Sequence, residues 1–180
     1  MNNKNLKITV YCASSATIHQ DFFRHAKKLG ELLSKINCNV TYGGGATGLM
    51  GALADSMLEH GGNIRGLIPE FMVKKEWQHP DIHDMKVVCT MHERKEQMLQ
   101  NCDIAIALPG GCGTLEEFME ALTWRQLELF NGRLLILNTR NYYDSLLDLL
   151  HKAVDENFMR ENDHEMWEVY DSPEKLVEFI

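Results

Sequence analysis

The chain has 180 residues, 44% of them apolar and 24% charged, which is enough for a single α/β domain (1–180) with a sizeable core. A net charge of −8 at pH 7 argues against a general nucleic-acid binder, which needs a basic face to displace counterions, and leaves room for a local pocket that takes a small phosphate. No segment reads as a membrane span or a cleavable leader, and the five cysteines lack CxxC spacing, so the expectation is free thiols in a reducing cytoplasm.

The elements alternate along the chain. Lys7 to Cys12 ("KITVYC") reads as a first strand. Phe22, Ala26, Leu29, Leu33 and Ile36 then recur at helical steps. Asn39 to Tyr42 is a short second strand that runs into Gly43-Gly44-Gly45, and a helix from Leu49 to Glu59 stops at His60-Gly61-Gly62. Asn63 to Ile68 is a third strand, and Phe71 to Asp84 is the longest irregular stretch. Met85 to Cys89 is a fourth strand, after which Thr90-Met91-His92-Glu93 carries the T-x-x-E pattern of a capping box. Asp103 to Leu108 ("DIAIAL") is apolar almost throughout, as a parallel strand buried on both faces must be. A helix from about Leu115 to Leu129, a strand from Arg133 to Asn138, a helix over Tyr142 to Phe158 and a short helix opened by Ser172-Pro173 complete the order. The alternation predicts a Rossmann-like, doubly wound α/β domain, mostly parallel, with helices on both faces and ligands at the carboxyl ends of its strands.

Three stretches at that edge carry chemistry. "YGGGATGLMG" fits G-x-G-x-x-G through Gly43, Gly45 and Gly48, but it follows the second strand and lacks the acidic residue about twenty positions on, so the dinucleotide reading is weak. It is either a tight packing turn or a set of bare amides facing a phosphate or sugar. "PGGCGTLEE" places three glycines before a helix. Thr114 and Glu117 have capping-box spacing, so Glu117 either satisfies a backbone amide or stands as an ionised carboxylate beside a bound anion. "TMHERKEQML" sets Arg94 and Lys95 in the first turns of a helix, in a run of charges that reads by itself as a solvated face; Met91, Arg94 and Met98 share one side of it. His79 and His83 have H-x-x-x-H spacing, but Pro80 between them argues against a helical metal pair.

Together, in this order and spacing, "YGGGATGLMG", "MHERKEQM" and "PGGCGTLEE" resemble the LOG (Lonely Guy) family of cytokinin riboside 5′-monophosphate phosphoribohydrolases, long labelled lysine decarboxylases; "ALTWRQLEL" and "LLILNTRNYYDSLL" extend the similarity over roughly residues 8 to 158. The resemblance implies Arg94 and Glu117 as the catalytic pair, Gly111, Gly113 and Thr114 as the hold on a 5′-phosphate, and Ser14, Gly44, Gly45, Met91 and Lys95 as further contacts to the nucleotide. It also implies a small-molecule nucleotide substrate, no metal, no cofactor and a homodimer formed through the helix carrying Phe118, Met119, Leu122, Trp124, Leu127 and Phe130, with no nucleic-acid or membrane partner. The sequence departs from the family pattern at Ala13-Ser14-Ser15-Ala16-Thr17, where many members have Gly-Ser-Ser-x-Gly, and at Gly132-Arg133, where many have Lys-Pro. The expected reaction is hydrolysis of the N-glycosidic bond of AMP or an N6-substituted AMP to free base and ribose 5-phosphate. The alternative is a non-catalytic nucleotide carrier or sensor on the same fold.

Overall fold

The computed structural model describes residues 6–180; residues 1–5, part of the stretch read for a leader, lie outside the described residues. The strands are β1 (Lys7–Tyr11), β2 (Asn39–Tyr42), β3 (Asn63–Pro69), β4 (Met85–Val88), β5 (Ile104–Ala107), β6 (Arg133–Leu137) and β7 (Glu168–Tyr170). The helices are α1 (Gln20–Lys35), α2 (Gly48–Glu59), α3 (Glu70–Val73), α4 (Met91–Leu99), α5 (Cys112–Gln126), α6 (Asp144–Asp155) and α7 (Pro173–Glu178). The seven strands form one sheet in the order β4-β3-β2-β1-β5-β6-β7, every neighbouring pair parallel. The chain winds outward from β1 to β4, returns to the other side of β1 with β5, and winds outward again. The order reverses between β1 and β5, and the crevice above that reversal is where such sheets bind ligands.

Strand pleat divides the core into two layers. Ile8, Val10, Val40, Tyr42, Ile104 and Ile106 pack against Leu29 and Leu33 of α1 and Leu49, Leu53 and Met57 of α2. Tyr11, Ala105, Ala107 and Leu134 point the other way, toward Met98 of α4, Phe118 and Leu122 of α5 and Leu150 of α6. The "IAIA" of β5 is thus buried on both faces, as its composition predicts, with isoleucines on one side and small alanines under the α5 aromatics on the other.

Four features differ from the sequence reading. β7 is a three-residue strand beside β6, too short for a periodic pattern to mark it. α6 ends at Asp155, before the expected Phe158. The irregular stretch holds α3 and an antiparallel bridge between Gly45 and Gln78. α5 begins at Cys112 with Gly111 as its extended N-cap, so Thr114 is not a cap but a residue of the first turn. The helix of the charged motif starts as its capping box predicts: Thr90 accepts from the Glu93 amide at 3.1 Å, while Glu93 reaches back to the amide of Cys89 rather than of Thr90, at 2.8 Å. No helix among the described residues is long and apolar enough to cross a membrane.

Candidate active site

Helices α2 and α5 both begin at the crevice, and their first amides are used differently. The first amides of α2 are spent within the chain: Leu49 N–H and Met50 N–H donate to the Ala13 carbonyl at 2.9 and 3.3 Å, and the Thr47 hydroxyl donates to the Ser14 carbonyl at 3.0 Å. Gly48 sits at φ +65° with its α-carbon pressed on this backbone; a β-carbon there would stand 2.4 Å from the carbonyl carbon of Ser14. The "YGGGATG" turn is therefore first a packing junction that fixes the turn after β1.

α5 differs. Its first intrahelical bond runs from Leu115 N–H to the Gly111 carbonyl at 3.0 Å, so the amides of Cys112, Gly113 and Thr114 precede the ladder and carry the positive end of the helix dipole. A β-carbon on Gly111 or Gly113 would meet nothing within 4 Å. The turn before the helix is clamped from outside, where the Tyr142 hydroxyl donates to the Gly110 carbonyl at 2.7 Å and the Tyr143 hydroxyl to the Leu108 carbonyl at 2.6 Å. A helix start with this geometry has the chemistry to take an anion.

Facing it is a cavity of about 370 Å³ lined by Ser14, Met91, Arg94, Gly111, Gly113, Thr114 and Glu117, among others. A second lobe of about 380 Å³ adjoins it and shares Ser14, Gly43, Met50, Met72 and Arg94. That lobe is more apolar, adding Ile68 and Trp77 together with Gly45. Arg94 lies at the seam and Glu117 lines the first lobe beside it; their side chains are only 7% and 8% exposed and are joined by an ion pair from Nη1 to Oε1. Arg94 Nε donates to the Leu67 carbonyl at 2.9 Å, which fixes the guanidinium plane. Gly43 makes room for it: a β-carbon there would lie 2.3 Å from Arg94 Nη2. Gly43→Ala is expected to displace the guanidinium and lower turnover at least about tenfold in a protein that still folds, since the clash falls on a side chain and not on backbone. Circular dichroism beside a turnover assay checks this.

Burial pushes the Glu117 carboxyl above the ordinary glutamate range, and the Arg94 charge opposes that push. The helix field alone suggested an ordinary ionised carboxylate; burial makes it instead a basic one, held against a permanent cation. Its partner is Arg94, so the capping role that the T-x-x-E spacing allowed is not the one it takes.

The structure gathers Ser14, Gly45, Met91, Arg94, Gly111, Gly113, Thr114 and Glu117 around the two lobes. It does not bring Gly44 or Lys95 to them. Gly44, at φ +78°, backs onto Met85 and Ile68, and its carbonyl accepts from His79 N–H at 2.9 Å. Lys95 turns along α5, pairing with Glu116 and with Glu120 at 3.2 Å. His79 and His83 are not a metal pair: His79 is buried against Asp55, and His83 is exposed. Sequence reasoning missed Met50, Met72 and Trp77, three apolar wall residues from two separate segments. Met and Trp are common core residues, and nothing local marks these as facing a cavity.

Comparison with known proteins follows the same line. A family model described as "Possible lysine decarboxylase" matches residues 50–180. The cytokinin riboside 5′-monophosphate phosphoribohydrolase LOG1 of Arabidopsis thaliana is 38% identical over 159 residues, covering 88% of this chain and 75% of the relative. A probable enzyme of the same name from Oryza sativa subsp. japonica, LOGL6, is 36% identical over 172 residues, covering 96% and 69%. Among solved structures, the molybdenum cofactor carrier protein of Chlamydomonas reinhardtii superposes with a TM-score of 0.73 at 17% identity over 97% of this chain and 95% of that one, a likeness of fold alone. With its glycine turns, its Arg94–Glu117 seam and this degree of identity along most of its length, the chain belongs to the LOG family of cytokinin riboside 5′-monophosphate phosphoribohydrolases, the family that the possible-lysine-decarboxylase model describes.

Proposed function

We propose that the protein hydrolyses the N-glycosidic bond of a purine nucleoside 5′-monophosphate, AMP or an N6-substituted AMP, to the free base and ribose 5-phosphate. The observation that carries this is the placement of a buried Arg94–Glu117 pair between an anion-binding helix start and an apolar lobe. The 5′-phosphate accepts from the amides of Cys112, Gly113 and Thr114, with the Thr114 and Ser14 hydroxyls at hand. The base enters the lobe walled by Met50, Met72 and Trp77, which suits a flat heterocycle and an alkyl group on N6. The ribose then spans the seam beside Glu117.

Water attacks C1′ as the bond from C1′ to the base nitrogen breaks. The bonding electrons leave with the base, which takes up a proton, and the water loses one. The transition state has oxocarbenium character, and the Glu117 carboxylate stabilises that positive charge and accepts the water's proton. Arg94 holds Glu117 in register, and its charge opposes the burial that disfavours the carboxylate. No step calls on a metal or cofactor. The residues also fit a carrier that binds the nucleotide without turnover, a reading the buried carboxylate at the seam disfavours. A panel of AMP, an N6-alkylated AMP, GMP and CMP, followed by chromatography for released base, is expected to show cleavage of the adenine nucleotides first. Equal cleavage of CMP would remove the assignment of the apolar lobe to a purine.

We place the protein in the cytoplasm, in keeping with its five free cysteines. We also propose a homodimer, on a smaller surface than the sequence suggests: Phe118, Leu122 and Phe130 are buried in the chain's own core, leaving Met119, Leu127 and Leu129 exposed along and beyond α5. Light scattering at micromolar concentration is expected to give twice the chain mass of 20.7 kDa. A stable species of single mass would contradict it.

A further inference from the structure

The wall of the apolar lobe is held by a device outside the seam. α3 ends in a reversal: Glu76 adopts a left-handed φ of 56°, its amide donates to the Val73 carbonyl at 2.9 Å, and Trp77 N–H donates to the Met72 carbonyl at 3.2 Å. The chain then runs back along the glycine turn. Ala46 N–H donates to the Trp77 carbonyl at 3.1 Å, and His79 N–H to the Gly44 carbonyl at 2.9 Å. This strap presents Glu76 and Trp77 to the lobe, and the Trp77 side chain, with the residue 51% exposed, has little of the protein's own core to lock it.

The far end of the strap is tied down by His79. Its ring is buried, Nδ1 accepts from the Asp81 amide at 3.2 Å, and the proton therefore sits on Nε2, which donates to Asp55 Oδ1 at 3.0 Å. Asp55 stands on α2, the same helix that contributes Met50 to both lobes. The latch thus joins two walls of one lobe, the strap with Trp77 and the helix with Met50. The His79 side chain is 3% exposed but the Asp55 side chain is 56% exposed, so water can take the place of Asp55 as acceptor for Nε2 and the cost to global stability is modest. The latch's geometric effect on the lobe is the larger consequence.

We infer that His79 and Asp55 are positioning residues that set the spacing between Trp77 and Met50 and so determine selectivity for the substituent on N6 of the base. The inference rests on the reading above that the base occupies this lobe.

The test uses the full chain and compares wild type, Asp55→Ala, Asp55→Asn, Trp77→Ala and the Asp55→Ala/Trp77→Ala double variant, measuring kcat and KM on AMP and on an N6-alkylated AMP. Alanine is well tolerated at a half-exposed helix position, so Asp55→Ala folds. It is expected to raise KM for the N6-alkylated substrate about tenfold relative to that for AMP, with the change falling on KM rather than kcat. Asp55→Asn keeps an acceptor oxygen for Nε2 and stays near wild type. The double variant is no worse than Trp77→Ala alone, because the latch acts through that ring. Equal losses on both substrates, or additive effects in the double variant, would overturn the inference while leaving the hydrolase reading intact. A wild-type protein that cleaves neither nucleotide would overturn the reading itself, and the inference with it.

Discussion

Glu117→Gln is expected to remove turnover by about a hundredfold or more while leaving the fold in place. The amide keeps the shape and retains an oxygen to accept from Arg94 Nη1, so the buried guanidinium is not left without a partner. What is lost is the negative charge that faces the developing cation and takes the water's proton. Arg94→Ala is a less clean test, because truncating one member of a pair buried to this degree leaves an unpaired group inside and costs about 3–5 kcal/mol of stability. The pH profile supplies a second readout of the same carboxylate. Glu117 works ionised, and burial raises its pKa above the ordinary glutamate range. The acid limb of kcat/KM should therefore fall as pH drops through that raised value, at higher pH than for a free glutamate. A variant with wild-type rates, or an acid limb at the free-glutamate position, would leave Glu117 a purely structural partner of Arg94.

The second large effect is dependence on the 5′-phosphate. Three amides at the start of α5 precede its hydrogen-bond ladder, and the glycines before and among them leave the approach open. A charge-assisted hydrogen bond contributes about 1.5–3 kcal/mol, so two of them correspond to roughly a hundredfold or more at 1.36 kcal/mol per factor of ten. The loss should fall on kcat as well as KM, because in the proposed mechanism an anchored phosphate sets C1′ against Glu117. Adenosine should be nearly untouched under conditions that cleave AMP. Comparable rates on the two would mean that the α5 turn is a packing feature like its α2 counterpart.

The order of most strands and helices along the chain was legible because periodicity and composition report burial directly. The apolar run from Ile104 to Ala107 read as a strand covered on both sides, and it is the strand beside the reversal of strand order. The edge at which the motifs gather followed from parallel topology. What could not be read was which of two similar glycine turns keeps its amides free. That depends on the Ala13 carbonyl reaching Leu49 and Met50, a contact between segments 36 and 37 positions apart in the chain. The spacing of Thr114 and Glu117 suggested a cap for a helix that in fact starts earlier, at Cys112, because extended Gly111 already serves as its cap. Lys95 sits next to Arg94 in sequence, yet consecutive helical positions point about 100° apart, and Lys95 turns toward acidic α5 side chains while Arg94 crosses Gly43. Trp77 came from the stretch with no periodicity at all; its backbone is brought to the lobe by pairing with the glycine turn.

The most direct measurement is the simultaneous quantitation of adenine and ribose 5-phosphate after incubation of the purified protein with AMP, beside the Glu117→Gln variant. The expected result is equimolar formation of the two products by the wild-type protein and almost none by the variant. Tight AMP binding without product, or release of adenosine and inorganic phosphate instead, would contradict an N-glycosidic hydrolase centred on Glu117.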